Sequence, residues 1–365
     1  MNFQRTILPA AACAMTALLM PYELLAGGCE QTAHLMHQAC YADARDDYKT
    51  ALANCENLDD RSDRRTCGQE AKQALREDDS YCREQFAARR DACDLLDEDR
   101  YAVDPLTDPS ITFIHPDEVD ASTANPYVSL IAGHTYVLRA GDEGEETDVI
   151  HVTDETREIQ GVECRVVVDV VLIAEEDDQT GEISYEPVEV TDDWVAQDSD
   201  GNVYYCGELS RNYEEGVLVD LDGSFESGRD EAKAGVLMMA MPEIGVAHRQ
   251  EFSLGEAEDI IEYVDHAALP NSDNEAFSCA DAGGCLMTHD FTPLEPEVEE
   301  FKYYIPGVGF VLAESVEDGE LTEAVDQLLC VGDSLDILQS PACEIDDPEV
   351  LNETLCELIP GVFCE

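Results

Sequence analysis

Two short stretches of the chain carry side chains spaced like a ligand set. In "DSDGN", Asp198, Asp200 and Asn202 stand at alternate positions, with Gly201 just before the last. Carboxylate and carbonyl oxygens at that spacing open a calcium-binding loop. A complete loop also needs Gly at its sixth position and a bidentate Glu at its twelfth, and counting from Asp198 those places hold Val203 and Leu209. Asp-Gly-Asn between aromatic-rich segments is what a β-hairpin turn requires, so the expectation is a plain turn, with Ca2+ the one cofactor it would take. "DLDGSFESG", with Asp220, Asp222 and Glu226, is a second turn of this kind. His34, His37 and Cys40 fall on consecutive turns of a helix and resemble a metal set, but a disulfide at Cys40 would remove its thiolate.

No catalytic signature accompanies them. The chain has no G-x-S-x-G elbow, no G-x-x-x-x-G-K phosphate cradle, no H-E-x-x-H and no C-x-x-C-H. A hydrolase would have to assemble a non-local site around His134, His151, His248, His266 or His289, with a nucleophile and an acid converging on it. Carboxylate pairs say nothing, because 83 acidic residues face 20 basic ones and the formal net charge is −63. That charge makes nucleic acid and anionic membrane surfaces poor partners, and divalent cations or a saline medium congenial ones.

The elements that must position these residues are legible in the cysteines. Positions 29 and 93, 40 and 82, and 55 and 67 share one midpoint near residue 61, inside the turn-like "ENLDDRSDR". Steps of 11 and 15 residues are close to three and four helical turns. The spacing therefore predicts an α-helical hairpin over 29–98, with Cys29–Cys93, Cys40–Cys82 and Cys55–Cys67 nested across it. Such staples would hold together an element with little core of its own. Upstream, "MNFQRTILPAAACAMTALLMPYELLAGG" has one early arginine, an apolar run and small residues before Cys29, the form of a secretory signal peptide over 1–28. Removing it takes Cys13 and leaves fourteen cysteines, an even number suited to an oxidising compartment. Acylation of Cys29, as in a lipoprotein, would orphan one thiol, so the arithmetic favours a bridged Cys29. Secretion or the cell envelope is the expected location.

Residues 99–130, rich in proline and without a helical period, read as a linker or wrapping arm. From 131 to 316 the texture is β: Val-, Ile-, Tyr- and Thr-rich segments alternate with Gly and Asp turns, predicting an antiparallel sheet. The stretches "DDWVAQDSDGNVYYCGE", "AGVLMMAMPEIGVAHRQEF" and "FTPLEPEVEEFKYYIPGVGFV" resemble an extracytoplasmic bacterial β-domain family. In that family a "WYAQD.DGNVWYFGE" hairpin precedes "PG..M...P..GD.YRQE" and "PLEP…HKYYAPGVGLV". The resemblance covers about residues 130–315 and implies a fold and a compartment; the family has no assigned activity. Where family chains carry an aromatic, this one has Cys206, which implies a cross-strand bridge to Cys164. Cys279 and Cys285 are spaced for a small local loop. Residues 317–365 form a Cys-rich tail in which Cys330, Cys343, Cys356 and Cys364 allow three pairings.

The fold class expected is thus α+β: a stapled helical hairpin, a curved antiparallel sheet or half-barrel, and a short tail. The function expected is that of an exported, non-enzymatic protein binding an apolar or lipid-like ligand on the concave sheet, through strands such as "VVVDVVLI" and "VLMMAMP". A calcium-dependent structural or adhesive surface protein and a non-local hydrolase are the alternatives.

Overall fold

The computed structural model describes residues 27–141, 144–177, 179–272, 274, 276–317 and 320–364. The signal-peptide reading, save its last two residues, and Cys13 lie outside them. Helices α1 (Gly28–Glu56) and α2 (Arg61–Leu96) form the expected hairpin, and Asp60 caps α2 by accepting hydrogen bonds from the Ser62 and Asp63 N–H groups. The bridges Cys29–Cys93, Cys40–Cys82 and Cys55–Cys67 are all present, with Cα separations of 5.8, 5.7 and 5.6 Å. Among the described residues no helix is long and apolar enough to cross a membrane.

The β region is one antiparallel sheet. Its strands are β1 (Thr135–Ala140), β2 (Glu146–Ile159), β3 (Val162–Glu176), β4 (Ile183–Gln197), β5 (Val203–Glu214), β6 (Val217–Asp220), β7 (Phe225–Glu226) and β8 (Lys233–Met238). They continue as β9 (Ala247–Arg249), β10 (Glu251–Phe252), β11 (Ile260–Ala268), β12 (Cys285–Phe291), β13 (Glu299–Ile305), β14 (Gly309–Glu317) and β15 (Glu320–Gly332). The order is β10-β8-β5-β4-β3-β2-β1-β15-β14-β13-β12-β11-β9, with β6 and β7 against β5. Its two edges, β9 and β10, are separated in sequence only by Gln250, so the sheet curls until its edges nearly meet. A Cβ at Gly235 on β8 would lie 2.3 Å from the Gln250 carbonyl, a close approach that only glycine allows. The half-barrel expectation thus becomes a nearly closed barrel, which hides both edges.

The stretch after α2 straddles this seam. Glu98 accepts from Arg249 on β9 at 2.5 Å, while the Tyr101 hydroxyl donates to the Ala234 carbonyl of β8 at 2.7 Å. Arg89 of α2 makes a buried, two-pronged pair with Glu258, at 2.6 and 2.9 Å. The hairpin is therefore docked along the closure line rather than projecting from it.

The tail differs from expectation at its start. β15 lies between β1 and β14, so the sheet extends to Gly332. "ELTEAVDQLLCVG" is rich in Leu, Glu, Ala and Gln, which favour a helix, and its place between two partners overrides propensity. The segment beyond Gly332 covers the outer face of β1–β4: Leu351 and Leu355 of a short helix, α3 (Pro348–Leu358), pack with Phe363 on Val137, Val149, Val168, Val170 and Leu172. Cys330–Cys343 and Cys356–Cys364 settle the pairing the sequence left open. Cys279–Cys285 closes its small loop, and Cys164–Cys206 joins β3 to β5 with β4 lying between.

Candidate functional site: the barrel lumen

The alternation of side chains across the sheet sends one face outward, under the tail and arm, and the other into a lumen of about 670 Å3. One end is capped by the arm. Asn125, 3% exposed, donates through Nδ2 to the Gly201 and Met238 carbonyls and accepts through Oδ1 from the Tyr127 and Val128 N–H groups. From the opposite wall, the Gly307 N–H in the β13–β14 turn donates to the Pro126 carbonyl of the arm. Tyr127, Val128 and Leu130 are thereby held across the mouth and contribute to the lining. This buried asparagine meets its hydrogen-bonding needs while crossing the barrel.

Each wall strand changes character along its length. Toward the arm the lumen face is apolar: Val152 and Ile150 on β2, Val167 on β3, Val195 on β4, Tyr304 on β13 and Leu328 on β15. Two residues or so further along the same faces come Asp148, Asp169, Asp193, Lys302 and Asp326, and then Glu189 and Glu300. The register fixes these positions. Asp148 stands opposite the lumen-lining Leu138, Val167 opposite Asp193, and Asp290 opposite Glu300, next to the Thr288–Lys302 pair. The outcome is an amphipathic chamber with an apolar end under the arm and an acidic end away from it. Lys302 is the one cationic side chain among the described residues that line it.

Enclosure disfavours ionisation of so many carboxyls together. Burial, reinforced by Asp169, pushes Asp193 up to about 8, and burial with Asp193 pushes Glu208 up to about 9. Burial raises Asp148 to about 7, where Asp326 and Glu189 add to the effect, and raises Asp169 well above the carboxylate range, helped by Asp148. Geometry gives the same result at Tyr205. Its hydroxyl lies within hydrogen-bond reach of Asp193 Oδ1 and, at 2.8 Å, of Glu208 Oε2. A phenol carries one proton, so the second contact needs a protonated carboxyl. Lys302 is the counterweight: burial works against its charge, but Asp290 and Glu300, the latter 3.3 Å away, hold it protonated.

The residues singled out in the sequence lie elsewhere. Asp198, Asp200 and Asn202 form the β4–β5 turn. Asp198, 6% exposed, accepts through Oδ1 from the Asp200 and Asn202 N–H groups and through Oδ2 from Asn202 Nδ2 and the Tyr204 hydroxyl. Asn202 Oδ1 accepts from the Ala240 N–H. The turn is held by its own hydrogen bonds, which engage the Asp198 oxygens and Asn202 Oδ1. Asp220 likewise accepts from Asn212, and Glu226 pairs with Arg157 and Arg229. Among the described residues no group of three or more His, Cys, Asp or Glu is disposed to hold a metal ion. His37 stacks on Phe86 with ring centroids 4.5 Å apart, beside the bridged Cys40.

The β-region histidines are dispersed. His151 Nδ1 is 2.9 Å from the hydroxyl of the fully buried Thr135. His248 meets the Tyr263 hydroxyl at 3.0 Å, and His289 sits between Phe291 and Phe301 facing Glu299.

Sequence reasoning reached the two strands named for ligand contact, since Val167, Asp169, Leu237 and Met238 all line the lumen. It missed the acidic end. The available signals were a lone Asp169 inside "VVVDVVLI" and one of four lysines, Lys302, inside the β pattern "FKYYI".

No family model and no curated protein matches the chain. A solved structure from Bacteroides fragilis, described as a "putative exported protein with YmcC-like fold", is similar over 57% of this chain and 99% of its own length. Its identity is 14% and its TM-score 0.26.

Proposed function

We propose that the chain is an exported, non-enzymatic binding protein whose barrel lumen takes an apolar or lipid-like ligand. The observation that carries this reading is the lumen itself: about 670 Å3, capped by the arm and apolar beneath it. Small-molecule sites commonly measure about 300–1,000 Å3 and combine apolar walls with a few polar groups, whereas a barrel serving only as a scaffold would fill its interior with side chains. Seven disulfides support export, since such bridges persist in oxidising compartments. The β-domain resemblance agrees with that location.

Native mass spectrometry of protein purified from its own host tests this. A retained small molecule is expected on the wild type, together with intact bridges and an unacylated Cys29. Ile150→Trp, which fills the apolar end, is expected to lose the molecule while keeping the same bridges. Wild-type protein with an empty lumen after gentle purification, and no uptake of added alkyl ligands, would refute the reading.

A further inference from the structure

We propose that the lumen selects an amphiphile with a cationic head of the primary-amine type, its chain under the arm and its ammonium among Asp148, Asp169 and Asp193. This rests on the lumen being a ligand site and names the ligand's chemistry. Three observations converge on it. The walls change from apolar to acidic along the barrel axis, so a molecule with one apolar and one polar end has a single favourable orientation. Within the acidic end, the Asp148 and Asp169 carboxyls bond to each other, with no N–H, phenol or alcohol donor on Asp148 Oδ1 or Asp169 Oδ1, and Asp290 Oδ2 accepts no hydrogen bond from the protein. Asp290 is 7% exposed, and its nearest cation, Lys302 Nζ, is 3.9 Å from that oxygen, too far to donate a proper bond. A buried acceptor without a donor is costly, and an ammonium brings three donors with the charge that strengthens them. The third observation is the imbalance of ionisable groups, with Lys302 facing the carboxyls of Asp169, Glu189, Asp193, Glu208 and Asp259 in the same chamber, whose protons a bound ammonium would displace. A fatty acid would add a further carboxylate to that set. An alcohol would gain hydrogen bonds without the Coulombic attraction.

The probes are decylamine, decanol and decanoate, titrated calorimetrically into the delipidated full-length chain. About 1 M salt shortens the Debye length to about 3 Å and suppresses binding to the acidic exterior. Decylamine is expected to bind at least about tenfold tighter than decanol, with decanoate weakest. Asp169→Asn/Asp193→Asn is expected to bring decylamine down to the affinity of decanol and to leave decanol within about twofold. The surface control Asp220→Asn/Asp222→Asn is expected to keep the preference. Decanol or decanoate equalling decylamine, or a preference that survives the lumen substitutions, overturns the head-group inference while leaving the lumen as an apolar site. Failure of all three probes to bind overturns both.

Discussion

Asp193, Tyr205 and Glu208 show how a single contact sets the behaviour of the lumen. With folded values near 8 and 9, Asp193 and Glu208 keep protons that the unfolded chain releases at about pH 4. The folded state therefore binds more protons at these two sites between those limits, and their contribution to stability falls as pH rises from about 4 through about 8. Each such carboxyl contributes a slope of at most about 1.4 kcal/mol per pH unit. Urea unfolding across this window should show the decline, and Asp193→Asn should flatten it; stability that climbs over the same range would contradict the assignment. A bound amine would substitute its own charge for those protons, so ligand-loaded protein should decline less steeply.

At the scale of elements, the hairpin and the seam behave as one device. Arg89 and Glu258 are 6% and 2% exposed, and the pair ties α2 to the stretch between β10 and β11. Breaking one partner of a buried pair strands the other charge, typically at a cost of about 3–5 kcal/mol. Arg89→Met should destabilise by about that much in urea unfolding, and Arg89→Met/Glu258→Met should recover most of it. A single variant as stable as wild type would show that the hairpin is not docked through this pair. The nested bridges act differently, by restricting the unfolded chain. Cys40→Ser/Cys82→Ser removes a bridge spanning 42 residues and should cost less than the roughly 4 kcal/mol of an isolated loop that long, because the bridges on either side still confine the segment.

The molecule as a whole is a polyanion with a net charge of −63. Self-repulsion opposes compaction and is relieved by screening, so the thermal midpoint should rise with sodium chloride. Calcium and sodium chloride compared at matched ionic strength then test the turns at Asp198 and Asp220. With Asp198 saturated by backbone and side-chain donors, the two salts should stabilise alike. A specific gain with calcium, abolished by Asp198→Asn, would restore the calcium-dependent surface-protein reading.

The sequence by itself determined the three bridges of the hairpin. Cysteine intervals symmetric about residue 61 fix the hairpin, because two antiparallel helices bring residues equidistant from the turn to the same height. Valine-rich β texture fixed the class of the second part. Both are local or periodic signals, readable without knowing what lies across the fold. Tertiary structure alone decided that "ELTEAVDQLLCVG" is a wall strand, that the tail pairs Cys330 with Cys343, and that the sheet closes at Gln250. It alone also gathered Asp148, Asp169, Asp193, Glu208 and Lys302 into one chamber. In a chain with 83 acidic residues, a carboxylate facing water and one facing a lumen look the same in sequence. Which face each takes depends on strand register and barrel closure, and these are set by pairing between segments far apart in the chain.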